Sequence, residues 1–439
     1  MREKSRDIYF LGILGVIATL PFDISINSIS IVFFLLTWIN LLIHDWDKLI
    51  SELKQNKIAQ LMILFGIVYA LSALVRYSSY EDFEIILKDL ELRISFVIFP
   101  LGLAGLPLLN KSKIRILFRV YVGVIFLATI ICLIFSLIAT IQTGSVYQWD
   151  SNYHFVENVF MYHRLTSWIG VHAIYFSAYV SIAFYIVFVQ FLNRYRANGK
   201  KAKYRKLSLF LLVYFMAIIF LLKSITISIA FLLTLIIVVI YYLMRDVHWN
   251  KKRIISASIA GAIVLASFGT MMINKFSAKD SILSYNMEDE YPDANWNSLN
   301  LRLAKWEISR QVLREAWLFG VGPGNIIEVL DTYYEKNNFH FALQQHYNPH
   351  NQFLHTFIVL GISGLAILLG IYFKAYEIAF RRRDVLFGIF IFIFTIFSLS
   401  ESILAVNKGV VFFCFFMNVF SYLKTKTSGY LGHESSNRE

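Results

Sequence analysis

The residues with the most chemical capacity lie between positions 302 and 356. Arg302 is followed by a glycine run, GVGPGN (Gly320–Asn325), and then by HYNPHNQFLHT, with His346, His350, Asn351 and His355. A histidine titrating near neutrality is suited to take a proton from a hydroxyl. An arginine fork pairs with the oxygens of a phosphate and stays charged while doing so. Three readings of the histidines are open. His346 and His350 are four apart, with His340 and His355 flanking, as metal ligands could be. However, Pro349 separates the close pair and no His-Glu-x-x-His pattern surrounds them. The others are a plain interfacial histidine and a catalytic or substrate-binding one. The glycines resemble a fragment of a dinucleotide fingerprint, but no strand precedes them. A tight turn with close backbone approach is the better account.

These residues are positioned by a membrane bundle. Hydrophobic residues make up 57% of the 439 positions and charged residues 16%, against about 45–50% and 25% in a soluble protein. Lipid must therefore solvate much of the surface. Apolar runs long enough to cross a bilayer fall at 8–22, 27–43, 58–75, 93–109, 116–141, 169–192, 207–222, 225–243, 254–273, 352–374, 385–400 and 405–423. The expected fold class is all-α, a polytopic membrane protein of about twelve spans. The first span would also serve as the targeting signal. Cys132 and Cys414 lie in apolar stretches and make neither a disulfide framework nor a thiolate metal site.

Every second connection is basic. Examples are Lys48, Lys54 and Lys57; Lys111, Lys113, Arg115 and Arg119; and Arg381, Arg382 and Arg383. Such loops face the cytoplasm, so both termini are expected there. The net charge of +12 then orients the chain, and a nucleic-acid partner is not implied. The expected organisation is spans one to nine in 1–273, a large extracytoplasmic catalytic loop in 274–351, three spans in 352–423 and a cytoplasmic tail in 424–439. Within the loop, SLNLRLAKWEISRQVLREAWLF (Ser298–Phe319) reads as an amphipathic helix. Leu303, Trp306, Val312, Leu313, Ala316 and Trp317 would face the protein, and Arg302, Lys305, Arg310 and Arg314 would lie on other faces. His350 would sit at the mouth of the tenth span.

The chain resembles the O-antigen ligase/polymerase superfamily of bacterial envelope glycosyltransferases, in particular its Bacteroidetes-type members. Residues 302–364 carry the resemblance: Arg302, Trp306, FGVGPGN, PHNQFL and LGISG follow in the family's order. YHRLTSWIGVHAIYFSAYV (162–180), SESILAVNKGVVFFCFF (400–416) and ELRISFVIFP (91–100) are similar to further family blocks. Two departures stand out. The family often has His-Pro where this chain has His172-Ala173. It also often has Ser-Arg after the seventh span, where LLKSITIS (221–228) places Ile225, with Lys223 the nearest cation.

The resemblance implies a C-type glycosyltransferase-like fold with its active site on the periplasmic face of the bacterial inner membrane. It implies transfer of a glycan from a polyprenyl-pyrophosphate carrier, such as undecaprenyl pyrophosphate, to an acceptor hydroxyl. In this reading His350 is the general base and Asn351 orients it or caps the helix. Arg302 binds pyrophosphate, with Arg164, Lys223 and Arg93 as further candidates. His172 and Glu401 are additional site candidates, Glu401 as an ion-pair partner of Lys408 or Lys223. No cofactor and no metal is expected. The partners are the lipid-linked donor, lipid A core or a second glycan as acceptor, and the bilayer. A ligase is favoured over a surface-polysaccharide polymerase. A transporter is the non-enzyme alternative, weakened by the lack of midplane charges and internal repeats.

Overall fold

The computed structural model describes residues 1–75, 80–150, 155–197, 202–245 and 298–425, with Met287 and Thr427 besides. The expected ninth span, 254–273, lies outside them, as do most of 274–297 and of the tail. The described chain is helical apart from one antiparallel hairpin, β1 (Tyr147–Asp150) and β2 (Phe155–Asn158), with Tyr147 opposite Asn158.

The helices are α1 (Arg2–Thr19), α2 (Ile24–Gln55), α3 (Lys57–Val75), α4 (Tyr80–Arg93), α5 (Ser95–Gly102) and α6 (Lys111–Thr143). After the hairpin come α7 (Tyr162–Thr166), α8 (Ala173–Ala197), α9 (Ala202–Leu221) and α10 (Ile225–Arg245). The third group is α11 (Asn300–Ala316), α12 (Ile326–Lys336), α13 (His340–Gln344), α14 (Gln352–Arg382), α15 (Val385–Ser400) and α16 (Asn407–Tyr422).

Among the described residues, seven stretches are long and apolar enough to cross a membrane: Ile24–Gln55, Lys57–Leu74, Ile86–Leu108, Lys111–Thr143, Ala173–Asn193, Ile225–Met244 and Gln352–Arg382. Helices α1, α9, α15 and α16 fall on four more of the expected spans, and α15 is a shorter apolar helix. Helix α2 runs on past its expected end because Asp45 marks a kink within it, at φ −132° and ψ 30°. Asp45 is buried there and takes both Arg6 Nε and Nη2 at 3.0 Å.

Helix α16 is the axis of the bundle. Each of its residues from Lys408 to Tyr422 is buried, as expected of a helix that is apolar on all sides. Its phenylalanines interleave with rings from α5, α6 and α8. Phe413 meets Phe96, Phe415 meets Phe99, Phe416 meets Tyr121, and Phe412 stacks on Tyr179 at 4.2 Å. This aromatic packing fixes the end of α16 at which the polar residues gather.

Two glycine motifs interlock. Gly361 interrupts α14 with φ 64° and ψ −160°, a conformation essentially restricted to glycine. The break exposes backbone that the turn after α11 fills. Val321 N donates to Ile358 O (2.7 Å), Gly322 N to Val359 O (2.9 Å), and Ile362 N to Trp317 O (2.9 Å). A Cβ on Gly361 would lie 2.2 Å from Leu318 O, and one on Gly320 2.4 Å from Val359 O. The GVGPGN and LGISG motifs are thus two halves of one joint, and the joint ties α11 to the first half of α14.

Gly361→Ala should cost about 2 kcal/mol or more, because a Cβ meets both steric strain and a backbone carbonyl. Gly388→Ala, where nothing lies within 4 Å, should be neutral or mildly stabilising in its helix. Thermal melts of the two variants in the same detergent test this. Equal melting temperatures would remove the joint from the account.

Candidate active site

A carboxylate joins the polar groups at the mouth of α14. Asn351 is the N-cap of α14, its Oδ1 accepting from Phe353 N (3.0 Å) and Leu354 N (3.1 Å) while its amide donates to Leu399 O (3.2 Å). This satisfies amides that a helix start leaves unpaired and ties the mouth of α14 to the end of α15. His350, immediately before the cap, adopts φ 47°, rare for a side chain with a Cβ. Its backbone N–H donates to Asn348 Oδ1 at 2.9 Å, and Pro349 O accepts from Trp306 Nε1 at 3.1 Å. The YNPHN segment is therefore pinned against α11.

Glu401, just past α15, receives the two groups from opposite sides. His350 Nδ1 lies 2.9 Å from Oε2, and Arg302 Nη2 donates to Oε1 at 2.7 Å. Arg302 is also fixed by its backbone contacts, Nε to Ser400 O (3.0 Å) and Nη1 to Ser298 O (2.8 Å). Burial alone would raise the Glu401 carboxyl. The hydrogen bond and charge of His350, and then Arg302, outweigh it and hold the group down at about 2. An ionised Glu401 makes Nδ1 the protonated nitrogen and leaves Nε2 with a lone pair. Burial holds the His350 imidazole below its ordinary value; Glu401 opposes this, and Lys305 and Arg302 add to it.

Lys305 is the residue that the sequence reading misplaced. The expected apolar stripe left it on another face of the helix, yet it is 1% exposed. Of the expected stripe, Val312 is buried and Leu313 and Ala316 pack partly buried against the core, whereas Trp317 is 53% exposed; the buried face also takes in Asn300, Ala304, Lys305, Ile308 and Ser309. Small and β-branched side chains let α11 lie close against the bundle, which draws Lys305 in beside Tyr347. Its Nζ stands 4.4 Å from the centre of that ring. Burial pushes the ammonium down to about 7; Arg302 adds to this and Glu401 opposes it. The available signal was the three-residue spacing from Arg302, which puts both cations on neighbouring positions of one helix.

The other expected site residues are dispersed. Arg93 is buried and turned inward, with Asp89 at 3.3 Å, Tyr69 OH at 3.3 Å and the Leu404 carbonyl as partners. Arg164 donates to the Trp149 carbonyl beside the hairpin. Lys223 is exposed in the turn between α9 and α10, at φ 47°. His172 precedes α8, its ring against His163 with centroids 3.7 Å apart, and it lies within electrostatic range of Glu401 and His350. The expected pairing of Glu401 with Lys408 or Lys223 is corrected. Lys408 sits under the end of α1, donating to the carbonyls of Phe22 and Leu20, where a cation complements the helix dipole. His346 pairs with Asp331 at 2.5 Å and lines a cleft of about 690 Å³ with Asn325, Glu328, Thr332 and Glu335. Among the described residues no three His, Cys, Asp or Glu side chains converge as metal ligands would.

Residues 207–369 match the family model described as O-antigen ligase. This stretch belongs to the O-antigen ligase superfamily. No curated protein matches the chain. The O-antigen ligase stretch contains Lys223, Arg302, Lys305, His350 and Asn351, as well as the interlocked glycines; Glu401 lies beyond it. The family's activity is glycan transfer of the ligase or polymerase type, on lipid-linked substrates at a membrane.

His350 should remain neutral at pH 7, with its proton on Nδ1, and charge only below the pH at which a free histidine does. Glu401→Gln should lower its titration point further, since the carboxylate is what opposes burial. Nitrogen-15 spectra of imidazole-labelled protein across pH read both. A titration point unchanged or raised by Glu401→Gln would break the assigned pairing.

Proposed function

We propose that this chain is a metal-independent glycosyltransferase of the O-antigen ligase type, embedded in the bacterial inner membrane with both termini cytoplasmic. It would cross the membrane about twelve times, with 274–351 as its periplasmic loop. It moves a glycan from a polyprenyl-pyrophosphate carrier to an acceptor hydroxyl. The observation that carries this reading is the Glu401 carboxylate held between His350 Nδ1 and Arg302 Nη2, within a chain whose 207–369 stretch is that of the family.

The chemistry follows from the charges. His350, oriented through Nδ1, takes the acceptor's proton on Nε2 as the hydroxyl oxygen attacks the anomeric carbon. The new C–O bond forms as the bond to the pyrophosphate oxygen breaks, and the carrier pyrophosphate leaves with the electron pair. Glu401 stabilises the imidazolium that results, as a carboxylate does for any histidine base it orients. Arg302 faces the pyrophosphate with the donors its carbonyl contacts leave, and Lys223 and Arg164 are secondary cations for the donor's charge. Asn351 keeps the helix mouth in register. The acceptor is lipid A core or another hydroxyl-bearing glycan. A polymerase would use the same site with a second carrier-linked unit as acceptor.

Purified protein supplied with a lipid-linked glycan and an acceptor tests the assignments. His350→Ala should lower turnover by about 10²–10⁴-fold. Arg302→Ala should lower kcat/KM by about 10- to 100-fold, the worth of charge-assisted hydrogen bonds. Wild-type turnover in a correctly folded His350→Ala protein ends the proposal of His350 as base.

A further inference from the structure

The base of this site must work beside an anion. A carrier pyrophosphate brings several negative charges, and negative charge nearby favours the protonated imidazole, which cannot accept a proton. Arg302 relieves this only in part, because its charge is shared with Glu401 at 2.7 Å. Lys305 is different. It is 1% exposed, on the helix that carries Arg302. Among the described residues its ammonium has no hydrogen-bond or ion-pair partner, only the face of Tyr347 at 4.4 Å. The same Tyr347 ring meets His350 edge to face, with centroids 5.6 Å apart. Lysine, tyrosine and histidine thus form one row, and Tyr334 fixes its centre by donating to the Tyr347 carbonyl at 3.0 Å. The charged and titratable groups around His350 are Arg302 and Lys305 from α11, Tyr347 from its own segment, Glu401 beyond α15 and His172 before α8.

A buried ammonium without an anion is costly. A bound anion supplies what it lacks. We propose that Lys305 is a positioning charge, completed by the donor's pyrophosphate, which keeps the His350 imidazole unprotonated while that anion fills the site. The inference rests on the reading of His350 as the base. Lys305 touches no reacting atom in this scheme. It is partly neutral in the empty site, since burial brings it to about 7, and takes up a proton when the pyrophosphate arrives. That added positive charge offsets the donor's negative charge at the imidazole. Arriving donor and available base are thereby made compatible through one side chain.

The pH profile of kcat under saturating donor separates this role from packing. In wild type the acid limb reports protonation of His350. In Lys305→Met the limb should move up by about one pH unit or more, with the rate recovering toward wild type at alkaline pH. Lys305→Arg, which keeps the charge, should leave the limb in place. A Lys305→Met profile depressed equally at every pH, with its limb unmoved, overturns the inference and leaves His350 as base intact. An acid limb that survives in His350→Gln overturns the base reading, and the inference with it.

Discussion

One carboxylate organises the polar end of this bundle. Glu401 sits where a carboxylate is costly, 15% exposed at its side chain, and it stays ionised because His350 and Arg302 reach it from different elements. Removing one partner of such a group leaves a buried charge uncompensated, which is far more damaging than losing a surface ion pair. The three side chains therefore hold each other in place. Each is also fixed by backbone: Arg302 by two carbonyls, His350 through the Asn348 and Asn351 turns, and Glu401 by the end of α15. The proposed reaction, in which the site orients an imidazole and faces an anion, needs this rigidity, since small misplacements of catalytic groups cost large factors in rate.

The glycine joint and the aromatic axis serve that geometry from a distance. The joint locks the turn after α11 onto the broken middle of α14, so the helix that carries Arg302 and Lys305 is tied to the helix that His350 precedes. Helix α16 packs phenylalanines against α5, α6, α8 and α15 and so fixes where α15 ends and Glu401 begins. Oily packing thus sets polar positions. The rings determine where the polar groups meet.

Much of this was legible in the sequence, and the failures have physical causes. His350 and Asn351 stand where a proline breaks the chain ahead of an apolar run, so their place at a helix mouth follows from local pattern. The glycine turn was legible as a close approach, although its partner, Gly361, was recognisable only as part of a motif. Eleven of the expected apolar runs coincide with described helices because hydrophobic length is a strong local signal. The partner of Glu401 was not legible. Its contacts lie 99 and 51 positions away along the chain; of the two cations expected to pair with it, Lys408 is claimed by the end of α1 and Lys223 is exposed in the turn between α9 and α10. Lys305 was misread because periodicity weighs the bulk of Trp306 and Trp317. The helix instead turns inward a face that includes Ala304, Lys305, Ile308 and Ser309. The hairpin at 147–158 left only a polar, aromatic composition to see.

The central claim is that these residues move a glycan off a pyrophosphate carrier, and the products test it most directly. The purified chain, given a polyprenyl-pyrophosphate glycan and an acceptor without divalent metal, should release free polyprenyl pyrophosphate mole for mole with glycan newly joined to acceptor hydroxyls. Donor recovered intact, or carrier released with its glycan lost to water whatever acceptor is present, would contradict it.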